Sequence, residues 1–294
     1  MDIVVLCNGL GNQMSQYALF LAKRRLNKHT SWLYYPEKNI EQHNGYELKK
    51  VFGIPCAHNW NSWLGKIFSL VDWSQRSNGR KRRLVRTLLR AVGVRYYKES
   101  SSLFEEQALK HSCSLYTFLW GGWHGDRYIR DVQEEVRTAF TFDETKLDTA
   151  NQETISAIRN SNSIAIHIRR GDYVNHSVFA GICTKEYYDA AIDYIRTHVS
   201  NPQFFLFSDD PVWVKENYKG EDFHVVSANK GKNAWIDMFL MSQCKHNINA
   251  NSTFSWWAAW LNPNSSKIVL VPERFNNLNK PHDIYPDDWI KLKS

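Results

Sequence analysis

The sequence predicts an α/β fold built on parallel sheet. The N-terminus reads as an apolar run, a glycine turn and a helical repeat, and from Ser163 onward short apolar runs alternate with helical patterns of about ten residues. Parallel strands need such crossovers and, being buried on both faces, read as nearly unbroken apolar runs. At 294 residues the chain exceeds the commonest single-domain size and suffices for two cores, so two domains are expected.

The first strand is Ile3-Val4-Val5-Leu6, and Asn8-Gly9-Leu10-Gly11-Asn12 is its turn. Met14, Tyr17, Ala18, Leu21 and Ala22 then recur at helical spacing. Between Trp32 and Asn160 the pattern weakens to a basic amphipathic stretch near 80–94 and a strand at Tyr116-Thr117-Phe118-Leu119. Beyond Ser163 strands are expected at Ile164–Ile168, Phe204–Phe207, Phe223–Val226, Asn247–Ala250 and Ile268–Val271. Helices are expected between them, near 184–198, 211–218, 233–242 and 253–261. A boundary near 158 separates an N-terminal domain, 1–158, from a C-terminal one, 159–294, and no internal repeat is visible.

The charge is local. Lys and Arg number 37 against 30 Asp and Glu, a formal net charge of +7. Nine of the cations lie between Arg76 and Lys98 with no acid among them, leaving 28 basic residues against 30 acidic ones elsewhere. Such a patch fits one anionic partner. Leu84, Val85, Leu88, Leu89 and Val92 form an apolar face, with Arg82, Arg83, Arg86 and Arg90 around it and Trp60, Trp63, Ile67, Phe68 and Trp73 before it. The stretch is therefore either a helix that lies on an anionic membrane or a domain helix with a solvated face. Nucleic acid is not expected, because the aromatics are not interleaved with the cations as stacking platforms.

The five cysteines are far apart, with no C-x-x-C pair and no zinc spacing, which points to reduced thiols. Met1 runs directly into the first strand, with no basic leader before an apolar segment, and no run approaches the length of a spanning helix. The expectation is a cytoplasmic protein, peripheral to a membrane if the basic stretch docks.

Four clusters could carry chemistry. His167-Ile168-Arg169-Arg170-Gly171-Asp172-Tyr173 ends one strand, where a guanidinium fork can hold a diphosphate and offset charge on a departing oxygen. The other reading is a salt-bridged arginine pair with Asp172 in a turn. After the next strand, Asp210-Pro211 reads as an N-cap with proline at the first helical position, which leaves Asp209 free to accept from a guanine edge. A metal on Asp209 and Asp210 would need a third carboxylate, and none is near in sequence. Asn249-Ala250-Asn251-Ser252-Thr253-Phe254-Ser255 joins a strand to a helix N-terminus, suited to phosphate or to simple capping, while Trp256, Trp257 and Trp260 read as packing. Gly9-Leu10-Gly11-Asn12 is either a tight turn or a ligand loop, lacking both the full G-x-G-x-x-G and a P-loop lysine.

Together, His167 through Tyr173, Ser208-Asp209-Asp210 with Trp213, Asp237 through Cys244, Asn251 through Trp257, and Gly9 through Met14 resemble the α-1,2-fucosyltransferases of glycosyltransferase family 11. The resemblance is strong over roughly 163–275 and 1–26. It implies a glycosyltransferase-B fold, with two Rossmann-like domains facing across a cleft and GDP-fucose held mainly by the second, without a required metal or other cofactor. It further implies Arg169 at the β-phosphate with His167 beside it, Asp209 reading guanine, Ser252, Thr253, Phe254 and Ser255 along the diphosphate and fucose, and Gly9, Gly11 and Asn12 reaching the donor from the first domain. The implied reaction moves L-fucose with inversion to the 2-hydroxyl of a terminal β-galactoside, in a bacterial surface polysaccharide or on a lipid-linked precursor. Val174-Asn175-His176-Ser177-Val178 lacks the glutamate that serves as base candidate in the α-1,6 group, and Asp172 is named as base for being the nearest carboxylate. A nucleotide-sugar or glycan-binding protein without turnover is the alternative.

Overall fold

The computed structural model describes residues 1–27, 31–36, 43–56, 63–110, 112–278 and 280–294. The chain divides into two compact units, Met1–Thr141 and Phe142–Ser294.

The first unit contains β1 (Asp2–Val5), α1 (Leu10–Asn27), β2 (Ser31–Tyr34), α2 (Glu47–Phe52), α3 (Trp63–Gln75), α4 (Arg80–Ala91), β3 (Val94–Lys98), α5 (Glu106–Leu109), β4 (Tyr116–Trp120) and α6 (Gln133–Ala139). Its four strands are all parallel, in the order β2-β1-β4-β3. Ile3, Val5, Val94 and Phe118 meet Leu64, Phe68 and Val71 of α3 in one apolar cluster. Those three fall at i, i+4 and i+7, the spacing that lays one helical face on a sheet.

The second unit contains α7 (Thr149–Arg159), β5 (Asn162–Ile168), α8 (Lys185–His198), β6 (Pro202–Ser208), α9 (Pro211–Asn217), β7 (Phe223–Val226), α10 (Trp235–Gln243), β8 (His246–Ile248), α11 (Thr253–Leu261), β9 (Val269–Pro272) and β10 (Ile290–Leu292). Its six strands are parallel, in the order β10-β9-β8-β5-β6-β7. Ile164, Ile166 and Ile168 of β5 cluster with Tyr188, Ala191, Ile192 and Ile195 of α8. The units part earlier than the expected residue 158, because α7 packs on α10 and β5 of the second unit. Its helix is capped by Asp148, whose carboxylate accepts from Asn151 N at 2.9 Å.

Both sheets change direction, the second once and the first twice. In the second unit the chain steps outward from β5 to β7, then returns to lay β8 against the other side of β5. In the first unit β2 lies to one side of β1 and β4 to the other. A crevice opens beyond the carboxyl ends of strands at such a reversal, where ligands of open α/β sheets bind.

Candidate functional site

In the second unit the β5–β8 reversal brings two of the sequence clusters side by side. Arg169 through Tyr173 leave the carboxyl end of β5, Asn249 through Ser252 leave that of β8, and Asp209 and Asp210 leave that of the neighbouring β6.

Arg169 is the centre of this arrangement. Its Nη1 meets Asp209 Oδ2 at 2.8 Å and its Nη2 meets Asp172 Oδ1 at 2.7 Å, while the guanidinium lies 5.4 Å from the Tyr173 ring. The two carboxylates differ in shelter: Asp209 is 26% exposed and Asp172 57%. Arg169 is thus anchored on one side and held on the other by a bond open to exchange with solvent anions.

Asp209 corrects the expectation that it is free to read guanine. Its Oδ1 accepts from Arg170 N at 2.9 Å and Gly171 N at 3.1 Å, and its Oδ2 is bonded to Arg169. This carboxylate folds the 169–171 turn and aims the guanidinium. Gly171 is required by the same contact, since a Cβ there would stand 2.8 Å from Asp209 Oδ2. Asp172 is engaged by Arg169 and is available as a base only when that pair opens.

Arg170, also past the end of β5, points elsewhere. Its Nε bonds Asp210 Oδ2 at 3.1 Å and its guanidinium covers the Trp213 ring at 4.2 Å. Asp210 caps α9 through Trp213 N, with Pro211 at the first position.

His167 is buried, its ring 5.6 Å from that of Phe254. Burial, and then the charge of Arg169, push the imidazole down to about 4, against a smaller upward pull from Asp209. It is therefore neutral at pH 7, and among the described residues its Nδ1 has no hydrogen-bond partner. Asn249, just past β8, likewise keeps a buried Nδ2 without a partner among the described residues. Asn249 opens the polar join that the sequence marks as a phosphate or capping site, but nothing local in the sequence shows that its amide is left unsatisfied.

At the head of α11, Ser252 Oγ accepts from Phe254 N at 3.3 Å, and Thr253 and Phe254 are half-buried. Ser255 does not line the crevice as expected: it is fully buried, its hydroxyl directed at the carbonyls of Ala250 and Ser252. Trp256, Trp257 and Trp260 are buried packing, as their spacing suggests.

The first unit carries its own polar cluster at the β1–β4 reversal. Gly9 O accepts from Asn12 N and Gln13 N, Gly11 is buried and Asn12 half-buried, so Gly9–Asn12 forms the opening turn of α1. That helix end already holds an anion, since Leu10 N donates to Glu47 Oε2 at 2.9 Å. Glu99, just past β3, accepts from Gly122 N and Trp123 N at 2.7 and 3.1 Å, and burial raises its carboxyl above the usual range. His124 Nδ1 lies 3.0 Å from Ser15 Oγ, and burial lowers the imidazole to about 4. A Cβ on Gly122 would stand 2.4 Å from His124 Nε2. The Gly121-Gly122 pair straight after a strand was the available signal for this cluster.

The sequence model of Glycosyl transferase family 11 matches residues 54–293. The chain belongs to glycosyltransferase family 11. Along its whole length this glycosyltransferase is 32% identical to an alpha-1,2-colitosyltransferase of Escherichia coli, of which it also covers 100%. It is 31% identical to the O-antigen biosynthesis glycosyltransferase WbnK of Escherichia coli, over 98% of this chain and 99% of that one. It is 26% identical to galactoside alpha-(1,2)-fucosyltransferase 2 of Sus scrofa, over 97% of this chain and 78% of that one. Among solved structures it is similar to NodZ alpha-1,6-fucosyltransferase co-crystallized with GDP, at TM-score 0.49 and 16% identity over 89% of this chain and 92% of that one. Within family 11 the second-unit cluster lies wholly inside the matched span, whereas Gly9, Gly11 and Asn12 precede it.

Proposed function

We propose that this family 11 glycosyltransferase, of the glycosyltransferase-B type, transfers L-fucose from GDP-fucose to the 2-hydroxyl of a terminal β-galactoside, with inversion to the α-linkage. The observation that carries the reading is Arg169 at the β5–β8 reversal, anchored by Asp209 and standing beside the head of α11. A guanidinium and a helix N-terminus together supply the positive potential that a nucleoside diphosphate needs.

The acceptor oxygen attacks the anomeric carbon as the bond from that carbon to the β-phosphate oxygen breaks, and GDP leaves with the electron pair. Charge grows on the departing oxygen, and Arg169 offsets it there. The incoming diphosphate competes for Nη2, the bond that Asp172 now holds in the open. Once displaced, Asp172 is the carboxylate free to take the acceptor proton, so donor binding and release of the base become one event. Neutral His167 accepts or donates a hydrogen bond to the donor without adding charge. Ser252, Thr253 and Phe254 border the diphosphate and sugar. Residues Gly9, Gly11 and Asn12 are proposed donor contacts of the first unit, whose cluster around Glu99 and His124 is its candidate for acceptor recognition. No metal is required in this reading, because Arg169 and the α11 terminus carry the electrostatic work.

The relative named an alpha-1,2-colitosyltransferase favours a second donor. Colitose is fucose without the 3-hydroxyl, so the choice turns on a single hydrogen-bonding group. The relative named for O-antigen biosynthesis supports an acceptor in a surface polysaccharide. A lipid-linked precursor of it, met by a cytoplasmic enzyme at the inner face of the membrane, belongs to the same proposal.

Purified protein in EDTA is incubated with a β-galactoside and either GDP-fucose or GDP-colitose, and product linkage is read by NMR. The reading expects an α-1,2-fucoside in EDTA, with GDP-fucose the better donor. A strong preference for GDP-colitose would move the donor assignment, a metal requirement would remove the metal-free mechanism, and no transfer from either donor would leave a binding protein.

A further inference from the structure

We propose that the outer faces of α3 and α4 dock the protein on an anionic lipid bilayer. This inference does not depend on which sugar is transferred.

The apolar face expected on α4 is divided in the folded chain. Val85 and Leu89 are half-buried, Leu89 against the sheet core, whereas Leu84, Leu88 and Val92 stand in solvent at 61%, 57% and 64% exposure. With Lys81 they form a stripe along the outside of a helix that buries no residue at all. Neighbouring α3 buries Leu64, Phe68 and Val71 and turns Trp63, Leu70 and Trp73 outward at helical spacing. Arg82 joins the helices, its guanidinium 5.2 Å from the Trp73 ring centre. Trp60 lies outside the described residues.

Around these apolar side chains nine cations from Arg76 to Lys98 are unbroken by any acid. The nearby acid Asp72 is already paired with Arg76 at 3.0 Å. Three partners could cover such a face. A second copy would set the eight cations other than Arg76 against their own eight counterparts, with no acid between Arg76 and Lys98 to neutralise them. A nucleic acid would match the charge but leave leucine and valine in water. An anionic bilayer satisfies both parts, taking Leu84, Leu88, Val92 and the outward tryptophans into its interface while the arginines meet lipid headgroups.

The test is cosedimentation of the full-length protein with phosphatidylglycerol-containing or pure phosphatidylcholine vesicles. Two variants are compared with the parent: Lys81→Gln with Arg83→Gln and Arg90→Gln, and Leu84→Ser with Leu88→Ser. All five side chains are exposed, so melting and turnover on a soluble acceptor should match the parent. Docking predicts binding to anionic vesicles at low salt, release at high salt, and an affinity at least about tenfold lower in each variant. Failure to bind anionic vesicles at low salt overturns it, as does equal binding to phosphatidylcholine. Unchanged binding of the leucine variant would reduce the contact to surface charge and overturn docking through the apolar stripe, and self-association without lipid binding would assign the face to a second copy.

Discussion

Arg169 works through the two carboxylates that hold it, and they are not equivalent. Asp209 is sheltered and bonded to the turn backbone as well as to the guanidinium, so it sets where Arg169 points. Asp172 is exposed and bonded to the guanidinium nitrogen that the proposed mechanism gives to the phosphate. Asn substitutions separate these duties. Asp209→Asn should weaken GDP binding by about tenfold or more, since a charge-assisted bond to Arg169 is lost while the amide oxygen still serves the turn. Asp172→Asn should bind GDP at least as tightly as the parent, its competing charge removed, yet turn over far more slowly for want of a base. Calorimetry with GDP and steady-state kinetics on both variants check this, and normal turnover by Asp172→Asn would exclude it as the base. The sequence showed these residues but not their engagement. Asp209 looked unemployed because its partners lie about forty positions earlier, on the next strand, and Ser255 looked available because nothing local shows that its hydroxyl turns inward.

At the scale of elements, α7, α10 and the segment after β7 are clamped by a polar network. Asn229 exchanges amide bonds with Asn151 at 2.9 and 3.0 Å and donates to Asp237 Oδ1 at 2.8 Å. Burial, partly offset by the Asn229 bond, pushes the Asp237 carboxyl from its usual 3.8 up to about 7. The folded chain therefore holds this proton more tightly than the unfolded chain. Its contribution favours folding most below about pH 4, is lost as pH rises from there through 7, and then levels off. Asp237→Asn should remove that slope and melt higher relative to the parent at pH 8 than at pH 5. Equal pH profiles of Tm for the two proteins would count against it. Element identity was legible where burial forces a continuous apolar run, as in β5, β6 and α11. It was not legible in β10, whose Ile290-Lys291-Leu292 is too short for any period, nor in α7, whose polar surface hides the few side chains it buries.

At the scale of the molecule, alternation predicted parallel sheets, but strand order is a long-range property and could not be read from local pattern. It is the order, with β8 returning beside β5, that brings the head of α11 next to the arginine turn. The unit boundary was misjudged for a related reason: α7 precedes the clean alternation in sequence yet belongs to the second core. The central claim is that Arg169 faces the leaving phosphate while its neighbour Arg170 only braces α9. Turnover of GDP-fucose by Arg169→Lys and Arg170→Lys, measured side by side, tests it most directly. Lysine keeps the charge and loses the planar fork, so kcat should fall at least about a hundredfold in Arg169→Lys and change little in Arg170→Lys. Near-normal turnover by Arg169→Lys, or an equal loss in both variants with intact folds, would contradict the account.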